Sequence, residues 1–136
     1  MGMVNERSLR DSDALEPYTP NGAGERLYKI VNEHHPISKE RYAAAFWFVN
    51  IIKGERWSWL EAIRQSAEAR KKIERRRVVI LGKQVWEALE MPPVLWFQSH
   101  ENMTLIPHPS GRNLVYNSPE IRARAAMVMI RVGGLR

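Results

Sequence analysis

Five residues between Leu105 and Asn117, in the stretch "LIPHPSGRNLVYN", carry groups suited to chemistry: His108, Ser110, Arg112, Asn113 and Asn117. They follow an apolar run stopped by Pro107, so they occupy a loop after a strand, where working groups often sit. A histidine there can donate to or accept from a reacting group. A serine hydroxyl, backbone amides and a guanidinium suit an anion, of whatever kind. Each also has a plainer use. Imidazole often caps loops, and a loop arginine can brace its own fold. Asn50 joins the set because its amide offers one acceptor and two donors, enough to read the edge of a base. The alternative is an asparagine that ends a strand on its own backbone. Tyr18 taken alone reads as a turn aromatic packed on the helix that follows.

Composition narrows the chemistry. The 136 residues hold no cysteine, which excludes disulfides, thiolate metal sites, iron–sulfur clusters and cysteine nucleophiles. With 44% apolar residues and five tryptophans the chain can fill the core of one domain, residues 1–136. No apolar run is long enough to span a membrane and no signal peptide is evident, so a cytoplasmic protein is expected. The net charge of +6 suits a polyanionic partner. Part of that charge lies in Arg70-Lys71-Lys72 and Arg75-Arg76-Arg77, which can also be a solvated helix end.

The elements that must position these groups alternate. Met1 to Asn21 is polar and turn-rich. A first helix is predicted over about Ala23 to Val31, facing inward with Leu27, Ile30 and Val31. Ser38 is a candidate N-cap for a second helix through Ala43-Ala44-Ala45. "FWFVNII", Phe46 to Ile52, predicts a buried strand ending near Asn50. Trp57 to about Glu74 reads as a helix with Leu60, Ile63, Ala67 and Ile73 on its apolar face. "RVVILG" then "KQVWEAL" is a strand, a glycine and a helix, the βα unit of a parallel sheet. "MTLIP" is the strand that feeds the His108 loop. Ser118, Pro119 and Glu120 announce the last helix, with Ile121, Ala125, Val128 and Val132 as its stripe. This order predicts a small open α/β sheet, whose ligands bind beyond the carboxyl ends of the strands.

Four of these stretches, in this order, resemble the uracil-DNA glycosylase superfamily. "HPSGRN" at His108 to Asn113 is similar to the family's HPS motif, in particular to the HPSPRN form of its single-strand-selective monofunctional branch. "RVVILGKQVWEAL" resembles the unit that precedes that motif. "FVNIIKG" resembles the strand written TNVVK, and "PYTPNGAGERLYKIV" the PFVGRAGQLLDKLL stretch of the thermophilic branch. The resemblance implies a three-layer α/β/α sandwich with a mostly parallel central sheet and DNA as partner. It implies removal of uracil or a related damaged base by hydrolysis of the N-glycosidic bond, with no cofactor. By the same resemblance His108 donates to the uracil oxygen, Asn50 reads the base and Tyr18 stacks on it. Ser110, Gly111, Arg112 and Asn113 then hold the DNA.

The first motif departs from the family's pattern, which takes forms such as GQDPY or GMNPG. Here the chain reads "MGMVNERS": Val4 stands where an Asn or Asp would handle water, Asn5 follows one residue late, and no proline comes next. Asn5 is the candidate for holding the water, with Glu6, Asp11 and Asp13 as nearby carboxylates. The resemblance therefore implies a domain without the family's first core strand. It leaves a second reading open, a catalytically weak or inactive relative acting as a DNA-binding or protein-interaction module. His34-His35 lacks further metal ligands at a suitable spacing and reads as a loop. "NGAG" at Asn21 to Gly24 reads as a turn. Trp57, Trp59, Trp86 and Trp96 read as core.

Overall fold

The structure, a computed structural model, describes residues 2–5, 15–50, 58–110 and 113–135. Five strands and five α-helices alternate among them. β1 (Gly2–Asn5) is followed by α1 (Ala23–His34), α2 (Lys39–Ala45), β2 (Trp47–Asn50), α3 (Trp59–Ile73) and β3 (Val78–Leu81). Then come α4 (Lys83–Ala88), β4 (Ser99–His100), β5 (Met103–Ile106) and α5 (Pro119–Gly133). The sheet order is β2-β1-β3-β5-β4, parallel throughout except for the β4–β5 hairpin. This is an α/β fold with a small mixed sheet.

Local chemistry explains most boundaries. The Ser38, Ser58 and Ser118 hydroxyls accept from the N–H groups of Arg41, Glu61 and Ile121, capping α2, α3 and α5. Gly134, in the left-handed conformation at φ 60°, closes α5. β3 is apolar at all four positions because both of its faces are covered. Val78 and Ile80 pack with Ala62, Ala69 and Ile73 of α3 and Val85 and Trp86 of α4. Val79 and Leu81 pack on the other side with Leu27 and Val31 of α1, Tyr42 of α2 and Met129 of α5. Alternate side chains of a strand point to opposite faces, so one short strand feeds two cores.

Three expectations need correction. Gly2 to Asn5, expected in a polar lead-in, form a strand in the sheet interior between β2 and β3. Four residues are too few to show a period, and their ladder bonds come from neighbours distant in sequence. On α3 Ile73 is buried as expected, but Ala62 and Ala69 share the buried face with it, whereas Leu60, Ile63 and Ala67 are exposed. Small residues let the helix approach the sheet closely, and the larger ones are left outside. Trp59, expected in the core, is 42% exposed, while Trp86 is buried and donates its indole N–H to the Pro92 carbonyl at 2.8 Å. Trp57 lies outside the described residues.

Candidate functional site at the carboxyl edge of the sheet

Strand register assembles the site. Asn50 and Asn5 are Cα partners on β2 and β1. Val4 pairs with Ile80, so Asn5 stands level with Leu81, and Leu81 pairs with Ile106. One row therefore runs Asn50, Asn5, Leu81, Ile106 along the carboxyl edge. Neighbouring strands lie about 4.8 Å apart, which puts Asn5 about 5 Å from Asn50 and about 10 Å from Ile106. The chain order reverses between β1 and β3, and such a switch point is where open α/β sheets take ligands. Asn5 ends one side of it and Gly82 follows the other.

Gly82 adopts φ 93°, and its N–H donates to the Ile106 carbonyl at 2.9 Å, tying the β3 exit to the strand that carries His108. A side chain would strain that backbone, which explains a glycine between strand and helix. The next residue, Lys83, is exposed with its ammonium 4.8 Å from the centre of the Trp96 ring. In the sequence Lys83 carries no signal, because a lone lysine after a glycine forms no pattern. It is a cation held beside the switch point.

The loop after β5 is held from several directions. Pro107 and Pro109 are buried, and His108 and Ser110 are half-buried. The Tyr116 hydroxyl donates to the Pro107 carbonyl at 2.5 Å, and burial pushes its ionisation well above the usual tyrosine range. Asn113 donates from its side-chain amide to the His108 carbonyl at 2.8 Å, and its side-chain oxygen accepts from the Val115 N–H at 3.3 Å. Its own N–H donates to the Ser110 carbonyl at 3.0 Å. Asn113 thus staples both ends of the loop and caps the 3₁₀ turn Leu114–Asn117. Arg122 donates to the Tyr116 and Asn117 carbonyls and pairs with Glu33 of α1 at 3.3 Å. The Nδ1 atom of His108 is shielded from solvent.

Other candidates lie elsewhere. Tyr18 is in the turn before α1, 49% exposed and outside the aromatic ladder of Tyr28, Tyr42, Phe46 and Phe48. Gly111, Arg112, Glu6, Asp11 and Asp13 lie outside the described residues. The paired basic runs sit at the end of α3 and in the turn into β3, which is the amino edge, opposite the His108 loop. His34 approaches the Ile30 carbonyl at 3.0 Å through Nδ1, as a helix end does. Among the described residues no group of three or more His, Asp or Glu is placed to hold a metal ion. None of the described helices is long and apolar enough to cross a membrane. At Asn21 to Gly24 the Glu25 carboxylate accepts from the Asn21 N–H at 3.1 Å, so the turn is closed by the chain itself.

What the carboxyl edge offers is a braced histidine, serine and backbone groups on one side of the switch point and two asparagine positions on the other. The histidine and serine of such a set can donate to and accept from a polar ligand. Comparison of the chain with protein-family models, with curated proteins and with solved structures yields no match.

Proposed function

We propose that the chain is a DNA repair glycosylase of the uracil-DNA glycosylase type, with that family's three-layer arrangement. It would hydrolyse the N-glycosidic bond of uracil or a related damaged base. The observation that supports this most is the alignment of Asn50 and Asn5 along one edge with the strand that feeds the His108 loop. In the proposed reaction the target nucleotide leaves the stack. The bond between sugar and base breaks with its electron pair passing to the base, and water adds to the sugar carbon. His108 donates to the base oxygen where negative charge develops, in the manner of an oxyanion hole. Asn50 reads the base edge, Tyr18 stacks on it, and Asn5 holds the water. Ser110 and Gly111 hold the flanking phosphate and Arg112 enters or braces the duplex where the base has left, while Asn113 keeps the His108 carbonyl and the loop in place.

The test incubates the protein with single- and double-stranded oligonucleotides containing uracil and reads alkali-labile abasic sites. Base release that falls about 10²-fold in His108→Ala, the loss typical for one transition-state donor, supports the proposal. Salt-sensitive DNA binding without base release would sink it. That outcome supports the second reading, a catalytically inactive DNA-binding relative. The placement of the basic runs away from the His108 loop favours this second reading, because binding there needs no base chemistry.

A further inference from the structure

Six of the eight residues from Arg70 to Arg77 are lysine or arginine, and the fold gathers them at the amino edge of the sheet. They are not equivalent. Arg70 is turned inward, donating from Nε to the Leu89 carbonyl at 2.9 Å. Lys71 pairs with Glu68 at 3.8 Å, with both side chains well exposed. Lys71 and Lys72 lie in the last turn of α3, where the macrodipole favours cations. That explanation stops at the helix end and does not reach Arg75, Arg76 and Arg77.

Those three occupy a held turn. The Asn102 side-chain amide donates to the carbonyls of Ile73, at 3.0 Å, and Arg76. The Arg76 N–H donates back to Ile73 at 3.1 Å, and the Val78 N–H donates to the Asn102 carbonyl at 2.9 Å. Arg75 sits at φ 64°, a left-handed conformation that arginine adopts only under constraint. Lys72, Arg75 and Arg77 are exposed and form no ion pair among the described residues. Fixing like charges side by side opposes folding unless something neutralises them. The adjoining cleft, about 360 Å³ beside Lys71 and Arg75, also contains Glu74 and Glu101. Arg75 stands at its border, and its mixed sign leaves Lys72, Arg76 and Arg77, which do not line it, as the more anion-facing part.

An aromatic surface adjoins the ridge. Trp47 and Val78 both pair with Gly2, so one row at the amino edge runs Trp47, Gly2, Val78. Arg76 reaches along that edge to Trp47, its guanidinium 4.6 Å from the ring centre, and Trp47 is 40% exposed. Cations that track a phosphate backbone beside an exposed ring are what single-stranded nucleic acid binds, because its bases are free to stack. A duplex or an acidic peptide would use the cations and leave the ring idle.

We propose that the amino edge, with Lys72, Arg75, Arg76, Arg77 and Trp47, is a binding surface for single-stranded nucleic acid. It is independent of base excision at the opposite edge. The test is fluorescence anisotropy with a labelled oligothymidylate over a salt series, using the whole chain. Combined Lys72→Gln, Arg75→Gln and Arg77→Gln lower the affinity about tenfold or more and reduce the log–log salt slope by about 2, at ~0.7 per lost phosphate contact. Trp47→Ala weakens binding about tenfold and Trp47→Phe restores most of it, as stacking requires. The triple variant keeps whatever base release the protein has, so the two proposals fail separately. Unchanged oligothymidylate affinity in a triple variant that unfolds like the parent would overturn the proposal. So would tighter binding to polyglutamate or to phosphatidylserine vesicles than to oligothymidylate.

Discussion

Asn113 is the residue whose role changes most between sequence and structure. In the motif it stands with the DNA contacts, but its side chain is engaged at both ends within the loop. Asp in its place can still accept from the Val115 N–H yet cannot donate to the His108 carbonyl. Asn113→Asp is therefore expected to lower base release or rim-directed DNA affinity more than its stability falls, whereas Asn113→Ala also loses about 1 kcal/mol of cap. Urea unfolding beside the activity assay separates the two. Tyr42 provides the opposite case. Its hydroxyl is buried without a hydrogen-bond partner among the described residues, and burial pushes its ionisation far above the usual range. Removing such a group relieves its desolvation, so Tyr42→Phe is expected to raise the unfolding free energy by about 1 kcal/mol. A loss of stability would mean that the hydroxyl has a favourable role.

Among the elements, the start of α1 is the most sharply constrained. A Cβ on Gly24 would fall on the Leu15 and Glu16 backbone, which has no flexible end to move aside. On Gly133 it would meet the tip of the Phe46 ring at 2.6 Å, where a side chain can turn. Gly24→Ala is expected to cost about 3 kcal/mol or more and Gly133→Ala less, as judged from denaturant midpoints. The same helix start has a pH signature. The Asn21 N–H, aided by Lys29 and Lys39, holds the Glu25 carboxyl below its usual value. A lowered carboxyl stabilises the fold above its unfolded value and loses that contribution as pH falls through the folded one. Glu25→Gln should thus differ from the parent at neutral pH and converge with it in acid. On α3, Ile63→Lys at an exposed position should stay within about 0.5 kcal/mol. Ile73→Ala in the core should cost about 2–5 kcal/mol.

For the molecule as a whole, the main feature is the separation of its two polar edges. Strands of four residues hold the two edges about 13 Å apart. The His108 loop and the asparagine row occupy the carboxyl edge, and the uncompensated cations the amino edge. Crowded like charge in a chain of net charge +6 is relieved by salt. Thermal unfolding should accordingly rise in temperature from low to moderate ionic strength, and the triple substitution at the amino edge should flatten that rise. A flat response in the parent would show that the ridge carries no uncompensated repulsion.

Much of this was legible without coordinates because it is local. A serine cap needs only the N–H groups a few residues on, so α2 and α5 start where their serines stand. The apolar run before Gly82 and the one before Pro107 announce strands through their own composition, and the loop after β5 follows from its proline. What local chemistry does not contain is partnership. Asn5 looked like part of a polar lead-in, and only pairing with β2 and β3 makes it the end of a central strand beside Asn50. The apolar residues of α3 form a plausible stripe, yet Ala62 and Ala69 allow the closer approach to the sheet, so packing chose the smaller face. Asn113 and the amino-edge turn acquire their roles from groups at the far ends of loops. Hydrogen-bond caps and strand composition act within a few residues, whereas register, face and edge are settled by contacts between segments far apart in the chain.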